Sequence, residues 1–518
     1  MLSTLLYKIF LFSCGIALVS FVHFMYNLLS TRLLLRPIPG PKASSFIWGE
    51  EWKLYSRPPG EPYMEWHKRY GPVVKFRGAF GHQVVSFTDH RAISFILGEN
   101  TYLFPKAKGV RAWFKATLGE GILWVEGKAA HEHQRKLLAP ALSSQAVRNL
   151  APILFETSSK LALQWTKIID RRHTDVAEIE ITDWAGRFAL DTIGRAAFTY
   201  DFDFLSQERI QPDSLAEVLD GLTNNESKKS SFYMRALFWL FPPILNIGKK
   251  GEMIRRTKRE LGSIGSRMWH DAKAIGDHEG RTMMAFMLKA DAAAATLVGK
   301  GDVIAQMRTV ISAGYETVRS CRIDKWMLYE LAVHPQVQEA IRHEIQCVQY
   351  HSVDAVNELC PLLDSALKET LRLHPAILEN HHEASETIVI PLEDPIPGTQ
   401  ITQVLIPKGT LLAIPLNVVH HDPEVWGLDA HVFRPERWLE RKQSQLRHKH
   451  ELLTFSEGPR VCIGKNFAMA EIKVLMVTLL QHFSFSCQHE IEAFQSFVIR
   501  PRIRGQGPSS LPLFIRKL

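Results

Sequence analysis

Cysteine is scarce in this sequence, with 6 among 518 residues, and no two of them form a C-x-x-C pair. A disulfide-stapled fold is therefore excluded, and a thiolate zinc site is disfavoured. The sequence also lacks a G-x-G-x-x-G fingerprint after a strand, a P-loop and a G-x-S-x-G elbow. These gaps argue against a bound dinucleotide, a P-loop nucleotide site and an α/β-hydrolase. Internal repeats and low-complexity tracts are missing too, which excludes a repeat protein.

Charge and hydropathy exclude further classes of protein. Hydrophobic residues make up 46% and charged residues 22% of the chain, close to globular averages. Because the mean hydropathy is -0.08, a polytopic membrane protein is excluded. The formal charge of +8 is compatible with nucleic acid, an anionic membrane or an acidic protein as partner. No stretch is dense enough in Lys and Arg to form a nucleic-acid patch, so we expect no nucleic-acid partner.

One long apolar run lies near the N-terminus. From Ile9 to Leu29 the chain has no charged side chain, and as a helix this run would span roughly 30 Å of hydrocarbon. Lys8 precedes the run, whereas Arg32 and Arg36 follow it, which favours a cytosolic C-terminal side. A cleaved signal peptide is the alternative, but no small-x-small cleavage site follows. We therefore predict a single-pass membrane anchor.

The chain divides into three segments on this basis. Residues 1–30 are the predicted membrane anchor, 31–44 form a basic and proline-rich linker, and 45–518 form one large domain. Pro37–Pro41 in the linker cannot continue a helix. Short alternating runs near the start of the domain indicate strands, whereas helical periodicity dominates from about residue 127 to 380. The predicted fold class is mainly α with small β-sheets (α+β).

A cysteine stands in a tight Gly/Pro turn in the segment FSEGPRVCIG, residues Phe455–Gly464, directly before a predicted helix. A helix N-terminus and the nearby Arg460 are expected to lower the pKa of the Cys462 thiol. Gly458 and Gly464 allow the backbone to approach a flat ligand closely, and Arg460 suits a carboxylate. A thiolate held in this way is a good axial ligand for haem iron. Taken alone, such a cysteine is more often structural, so the turn by itself leaves both interpretations open.

The whole decapeptide resembles the haem-binding signature of the cytochrome P450 family, F-x-x-G-x-R-x-C-x-G, at every specified position. This resemblance implies a haem b cofactor, with Cys462 as the proximal ligand of the iron. It further implies that Phe455 packs over the sulfur side and that Arg460 pairs with a haem propionate. Gly458 and Gly464 belong to the same cofactor-binding turn.

Two further segments support the resemblance. Glu369 and Arg372 lie three positions apart on a predicted helix and share a face, as an exposed surface pair also would. The segment around them resembles the family's E-x-x-R helix, and Phe433–Trp438 (FRPERW) resembles its P-E-R motif. The resemblance implies that Glu369, Arg372 and Arg437 form a buried ion network that locks the haem loop in place. Such a network needs every partner, so loss of one is expected to be severe.

A glycine interrupts a long apolar-periodic helix at Ala313-Gly314-Tyr315-Glu316-Thr317. A glycine inside a helix costs about 1 kcal/mol, so close packing at a neighbour or a plain kink is one explanation. The segment also resembles the family's A-G-x-[DE]-T motif. The resemblance implies that Ala313 and Gly314 lie on the distal side of the haem. Glu316 and Thr317 would then relay protons for catalysis.

The sequence departs from the family in three places. His131 and Arg135 stand where W-x-x-x-R is usual, and we expect both to meet haem propionates. His382 stands where an Arg often touches a propionate. After the acid-alcohol pair, Val318–Lys325 carries four charges where the family is mostly apolar. A solvated helix face would explain this stretch, and so would an altered splice or a sequencing difference.

The resemblance implies a haem-thiolate monooxygenase anchored in the endoplasmic reticulum membrane, with its catalytic domain in the cytosol. It would insert one oxygen atom from O2 into a lipophilic substrate. Because flavin and nicotinamide fingerprints are lacking, the electrons would come from NADPH through a separate reductase. The similarity is to microsomal, fungal members, so a terpenoid or another secondary metabolite is the favoured substrate. Two alternatives stay open: a haem-thiolate isomerase or dehydratase that needs no reductase, and a non-catalytic haem-binding sensor.

Overall fold

The computed structural model describes residues 12–15, 18–19, 22, 25–26, 29–207, 232, 236–237, 241–275, 282–292, 300–315, 323–346, 352–440, 452–495 and 498–518. The predicted anchor at Ile9–Leu29 therefore lies largely outside the described residues. Among the residues that are described, no helix is both long and apolar enough to cross a membrane.

Helices make up most of the described body, which confirms the predicted mainly α fold. Along the chain they are α1 Glu51–Ser56, α2 Glu61–Tyr70, α3 His90–Leu97, α4 Lys108–Thr117, α5 Lys128–Leu138, α6 Ser144–Asn149, α7 Ala151–Arg171, α8 Ile181–Phe198, α9 Gly248–Ile275, α10 Met283–Ala292, α11 Lys300–Tyr315, α12 Ile323–Val333, α13 Pro335–Gln346, α14 Val353–Leu359, α15 Pro361–Leu373, α16 Leu416–His420, α17 Pro423–Trp426, α18 Arg437–Glu440 and α19 Lys465–His482.

Small sheets complete the described fold, as predicted. The strands are β1 Val73–Arg77, β2 Gln83–Phe87, β3 Val176–Glu180, β4 Glu379–Glu383, β5 Ile388–Pro391, β6 Gln403–Ile406, β7 Leu411–Pro415, β8 Phe483–Ser486, β9 Ile491–Gln495, β10 Ile499–Ile503 and β11 Pro512–Lys517. The largest sheet has the order β1-β2-β7-β4, in which β2 and β7 run parallel and the other pairs antiparallel. The order β3-β11-β8 forms a second sheet, and β5-β6 and β9-β10 are antiparallel pairs.

Helix α19 lies in the larger apolar core. Its side chains are buried on nearly all sides, including Leu475 and Leu479, as expected for a helix that is apolar all round. It packs against α7 and α13. Because α19 begins at Lys465, directly after the cysteine turn, this core fixes the C-terminal side of the turn.

A second apolar core lies between the four-stranded sheet and α3. It contains Phe87 of β2, Ile96 of α3 and Leu412 of β7, together with Leu453, which lies just before the cysteine turn. The turn therefore connects the two cores. Each of its ends is fixed by burial of apolar side chains, so its position is set by the packing of the whole domain.

The charged stretch after Thr317 is described only at its end. Asp324 and Lys325, in the first turn of α12, are 2% and 0% exposed. A solvated helix face therefore does not explain these two residues. The Asp324 carboxylate accepts a hydrogen bond from the Lys325 backbone N–H at 2.8 Å. Because buried charges are costly unless they are paired and hydrogen-bonded, the fold has to satisfy both side chains inside the core.

Candidate active site

Backbone hydrogen bonds close the cysteine turn. The N–H of Cys462 donates to the carbonyl of Phe455 at 2.8 Å, and the N–H of Val461 donates to the carbonyl of Gly458 at 3.0 Å. Phe455 is half-buried and packs against the larger core. The turn thus brings the backbones of Cys462 and Phe455, the cysteine and phenylalanine of the predicted signature, together in one closed loop.

The two glycines of the turn have different surroundings. Gly458 has a φ of +67°, and a Cβ there would lie 2.1 Å from the carbonyl oxygen of Leu97 at the end of α3. Only glycine fits this position, because a side chain would be strained and would overlap the backbone of α3. The glycine therefore serves close packing of α3. At Gly464, a Cβ would have the Cys462 sulfur as its nearest neighbour at 4.0 Å.

The Cys462 side chain is exposed, yet the surrounding protein removes enough water to raise the pKa of its thiol above the ordinary value. Backbone N–H groups of Gly464 and Lys465 and the charges of Arg135 and Lys465 act in the opposite direction without outweighing burial. The helix N-terminus thus acts in the predicted direction, but the predicted net lowering of this pKa is wrong because burial outweighs it. Because a coordinated thiol is deprotonated outright, the thiolate would come from metal binding.

Arg460 offers unused hydrogen-bond donors beside the thiol. Its side chain is 9% exposed, and its Nη2 donates to the carboxylate of Glu126. Its Nε and Nη1 are buried and have no hydrogen-bond partner among the described residues. Buried guanidinium donors normally have partners, and a carboxylate matches their charge and geometry. The residues present therefore fit a haem propionate at this position.

Three residues that the sequence did not point to surround Arg460. The ring centroid of Tyr102 lies 5.2 Å from the Arg460 guanidinium carbon. Lys106 Nζ lies 3.2 Å from Glu126 Oε1, and its backbone N–H donates to the same oxygen at 3.0 Å. Burial lowers the pKa of Lys106 to about 8, although Glu126 acts in the opposite direction. Tyr102 and Lys106 lie in a segment without a motif, and Glu126 is marked only by its place just before α5.

The three residues predicted to meet propionates differ in what they contact. His131 Nδ1 lies 3.0 Å from the Tyr102 hydroxyl, and a hydroxyl that donates there places the ring proton on Nε2. Arg135 Nη1 donates to the carbonyl of Val461 at 2.7 Å, so Arg135 holds the cysteine turn itself. His382 Nδ1 donates to the carbonyl of Phe104 at 2.9 Å, which leaves its Nε2 without a proton in the neutral ring.

Burial keeps His131 and His382 neutral. It lowers the pKa of His131 to about 4, with help from the nearby charge of Arg460. It also lowers the pKa of His382 to about 4, against the hydrogen bond to Phe104. At neutral pH, therefore, His131 carries one ring proton, which Nε2 can donate toward a propionate when the Tyr102 hydroxyl donates to Nδ1. His382 supports the backbone of the 103–106 segment.

The predicted ion network is formed around the Glu369 carboxylate. Oε1 accepts from Arg372 Nη2 at 2.7 Å and from Arg437 Nε at 2.8 Å, and Oε2 accepts from Arg372 Nε at 2.9 Å. Two further donors were not predicted: Trp438 Nε1 at 2.9 Å and the Arg434 backbone N–H at 3.1 Å. Burial raises the pKa of Glu369, but the hydrogen bonds and charges of its partners outweigh burial and leave it lowered.

His420 connects this network to the cysteine turn. Its Nδ1 donates to the carbonyl of Arg372 at 3.1 Å, and its Nε2 accepts from the N–H of Leu453 at 2.9 Å. The Thr454 hydroxyl donates to the carbonyl of Leu371 at 2.7 Å. Burial lowers the pKa of His420 to about 3, so the ring stays neutral and keeps one donor and one acceptor. The sequence marked His420 only as one of two adjacent histidines.

The predicted acid-alcohol motif is described in part. Ala313 and Gly314 lie near the end of α11, and Glu316 and Thr317 lie outside the described residues. A Cβ on Gly314 would approach the Ile193 side chain of α8 to 3.1 Å. The glycine therefore allows close packing of α11 on α8, which is the packing explanation considered for it above.

Comparison with protein families identifies this architecture. Residues 38–502 match the model of the family described as Cytochrome P450. The chain belongs to the cytochrome P450 family. Cytochrome P450 monooxygenase claQ of Ampulloclitocybe clavipes is 31% identical to it over 506 residues, which cover 93% of each chain. Cytochrome P450 monooxygenase 91 of Postia placenta is 29% identical over 525 residues, which cover 93% of this chain and 94% of the relative.

This membership confirms several predictions. The relatives are fungal proteins named as monooxygenases, so this cytochrome P450 is an oxidoreductase, as the resemblance implied. The family binds haem through a cysteine thiolate, and Cys462 occupies the cysteine position of the signature. Arg460 stands two residues before it, with its Nε and Nη1 donors available.

The first prediction concerns the ion network. We expect Glu369→Gln to lower the free energy of unfolding by about 3–5 kcal/mol, because it leaves Arg372 buried without a counter-charge and Arg437 with Asp429 as its remaining carboxylate partner. Urea unfolding of the cytochrome P450 would measure this loss. Glu339→Gln is the matched control: Glu339 also pairs with an Arg three positions later, Arg342, but is exposed. We expect a loss of at most about 1 kcal/mol there. Equal small losses in both variants would contradict the network's role.

The second prediction concerns pH. An unfolded histidine has a pKa of about 6.5, whereas the pKa values of His382 and His420 in the fold are about 4 and about 3. As pH falls from about 6.5, the unfolded chain binds protons that the folded chain does not, so we expect stability to fall through this window. Above it, these groups contribute no pH dependence.

Urea unfolding at a series of pH values would measure this slope. We expect His420→Gln to make the slope shallower, because His382 still contributes, and His270→Gln, at an exposed position on α9, to leave it unchanged. A wild-type stability that does not change across the window, or equal slopes in wild type and His420→Gln, would show that burial does not hold these rings neutral.

Proposed function

We propose that this cytochrome P450 is a membrane-anchored monooxygenase that inserts one oxygen atom from O2 into a lipophilic substrate with electrons from an NADPH-dependent reductase. The observation that carries the proposal is the cysteine turn. It presents an exposed thiol at Cys462 and, two residues away, the buried Nε and Nη1 donors of Arg460, which have no hydrogen-bond partner within the described parts of the chain. These groups match a flat ligand that carries a metal at its centre and carboxylates at its edge.

Each residue of the site has a distinct task in this proposal. Haem, when bound, supplies the activation of dioxygen and the oxidation of the substrate. Cys462 would provide the sulfur ligand, while Arg460 and His131 would hold the propionates. Arg135 keeps the turn closed through the carbonyl of Val461. Glu316 and Thr317 deliver protons, a role that rests on their place in the motif.

A separate reductase is the proposed electron donor. The chain has no flavin or nicotinamide fingerprint of its own. Lys128 and Lys136 of α5 and Lys465 of α19 are exposed, and Lys465 follows the cysteine turn directly. A basic surface so near the haem ligand suits an acidic flavoprotein domain, because opposite charges steer the encounter of redox partners.

By analogy with the family, residues 103–125 and 376–380 are expected to line the substrate pocket, and their apolar character supports the proposed substrate class. Ile377, after the E-x-x-R helix, is 49% exposed although it is a large apolar residue. Phe114 of α4 is half-buried. Such side chains favour a lipophilic ligand. Within that class we propose a terpenoid or another secondary metabolite, supported by the fungal origin of the relatives.

Two other functions have to be distinguished from this one. A haem-thiolate isomerase or dehydratase would use the same cysteine turn but need no reductase, and a haem-binding sensor would have no turnover. The acid-alcohol pair of Glu316 and Thr317 favours the monooxygenase, because an isomerase has no need to deliver protons to dioxygen.

The proposed location is the endoplasmic reticulum membrane, with a single pass and the catalytic domain in the cytosol. Support comes from the uncharged run between Ile9 and Leu29 and the excess of Arg and Lys after it. In the part of this segment that the structure describes, the apolar side chains of Phe12, Val19 and Val22 are exposed, as a lipid-facing helix requires.

The third prediction tests the reaction. Membranes carrying the full chain are supplied with NADPH, a flavoprotein reductase and a panel of lipophilic compounds under isotope-labelled O2. We expect NADPH consumption above background with at least one compound and one labelled oxygen atom in its product. An isomerase would form product without NADPH, and a sensor would form none.

The same membranes provide the control for the cofactor. After reduction, carbon monoxide should give a strongly red-shifted Soret band. We expect Cys462→Ala to abolish both the band and the turnover, because the sulfur ligand is lost. Cys487→Ala, at a half-buried cysteine between β8 and β9, should keep both. Turnover that survives in Cys462→Ala would refute the thiolate mechanism.

The fourth prediction tests the anchor. We expect the full chain to stay in the membrane pellet after alkaline carbonate extraction and a chain lacking residues 1–30 to move to the supernatant. The sequon Asn225-Glu226-Ser227 reports orientation, because it stays unglycosylated if it faces the cytosol. A glycosylated protein, or one whose N-terminus has been removed at the end of the apolar run, would contradict the proposed topology.

A further inference from the structure

A buried carboxylate lies between two cations at the edge of the site. Glu126 directly precedes Gly127 and α5, and its side chain is 11% exposed. Its Oε2 accepts from Arg460 Nη2, and its Oε1 is 3.2 Å from Lys106 Nζ and 3.0 Å from the Lys106 backbone N–H. Both oxygens are thus occupied by protein donors. One acid joins the cysteine turn to the 103–106 segment, which precedes α4.

The charges in this cluster do not balance. Arg460 and Lys106 carry two positive charges, Glu126 carries one negative charge, and Arg135 lies close enough to the turn to donate to Val461. The pKa of Lys106 reflects this excess of positive charge. Burial and the neighbouring Arg460 lower it to about 8, although the Glu126 carboxylate raises it. The cluster therefore has an excess of positive charge that a bound anion would neutralise. The Nε and Nη1 of Arg460, which have no partner among the described residues, are the donors that would bind this anion.

We infer that Glu126 is a positioning residue for the haem propionates. It holds the guanidinium of Arg460 and the ammonium of Lys106 in one fixed arrangement and sets the net charge that the haem edge meets. This inference rests on the proposed haem site. Glu126 acts through the two cations and does not itself bind the propionate, because carboxylates repel each other and both of its oxygens already have partners.

Two consequences separate this role from a merely structural one. If Glu126 orders the cations, its removal increases the rate of haem loss. Propionate binding then includes the entropic cost of ordering the Arg460 and Lys106 side chains. If Glu126 also sets the charge at the haem edge, its removal raises the reduction potential of the iron. A negative charge near the haem opposes the arrival of an electron. A structural role would change stability without a potential shift that follows the charge.

The fifth prediction measures both quantities on the full-length, haem-loaded protein. We expect Glu126→Gln to transfer haem to apomyoglobin about tenfold faster than wild type, equivalent to about 1.4 kcal/mol, and to raise the midpoint potential. Glu126→Asp keeps the charge but is shorter, so its potential should stay near wild type while its rate of haem loss lies in between. The double variant Glu126→Gln with Lys106→Met restores the net charge and should lower the potential again.

Glu120→Gln is the matched control. Glu120 lies six residues away and is exposed, where it pairs with Lys115 at 2.6 Å. We expect it to match wild type in both measurements. The inference is overturned if Glu126→Gln behaves like Glu120→Gln, or if Glu126→Gln and Glu126→Asp shift the potential equally. It is also overturned if both Glu126 variants fail to fold, since the role would then be structural.

The outcomes remain separate from those of the proposed function. A wild-type protein that binds no haem would refute the haem site itself, and the comparison of variants would then not arise. A Glu126→Gln protein that is folded by circular dichroism but holds no haem, beside a Glu126→Asp protein that does, supports the positioning role in its strongest form.

Discussion

The buried carboxylate of Glu369 is the contact on which the geometry of the site depends. It receives donors from its own helix through Arg372, from α18 through Arg437 and Trp438, and from Arg434 just before α18. A carboxylate has about four lone-pair positions, so these donors occupy all of its hydrogen-bond acceptor sites. Burying such a group contributes little net stability, but it allows only one relative placement of the two segments.

Hydrogen bonds of neutral side chains connect these two segments to the cysteine turn. His420 and the Thr454 hydroxyl join the backbone at the end of α15 to the residues just before the turn. On the other side, Arg135 of α5 binds the carbonyl of Val461. The turn is therefore held by the network on one flank and by α5 on the other, and the exposed sulfur of Cys462 lies between them. Fixed ligands of this kind are what a cofactor site needs.

Much of the fold and of the site could be predicted because it is encoded locally. The cysteine turn, the Glu369 helix and the alternating strands are short patterns, and each was found where the sequence placed it. The remaining site residues come from segments without a pattern. Tyr102, Lys106, Glu126 and His420 meet the turn only through packing between distant elements.

The wrong predictions share one physical cause. Neither burial nor the identity of close neighbours can be read from a local motif. The pKa of Cys462 is raised because desolvation outweighs the nearby positive charges. Asp324 and Lys325 were open to interpretation as a solvated face, but lie in the core. Each depends on which surface the rest of the chain places opposite the residue.

The bond between Glu126 and Arg460 also has a consequence for how the protein acquires its cofactor. These residues are 334 positions apart, and Arg135 and Val461 are 326 apart. On a ribosome, the first member of each pair emerges long before the second, and contacts of such separation form late in folding. The two walls of the site are then assembled only after most of the domain has been synthesised. Both walls are therefore available to hold a haem only after synthesis of the chain is nearly complete.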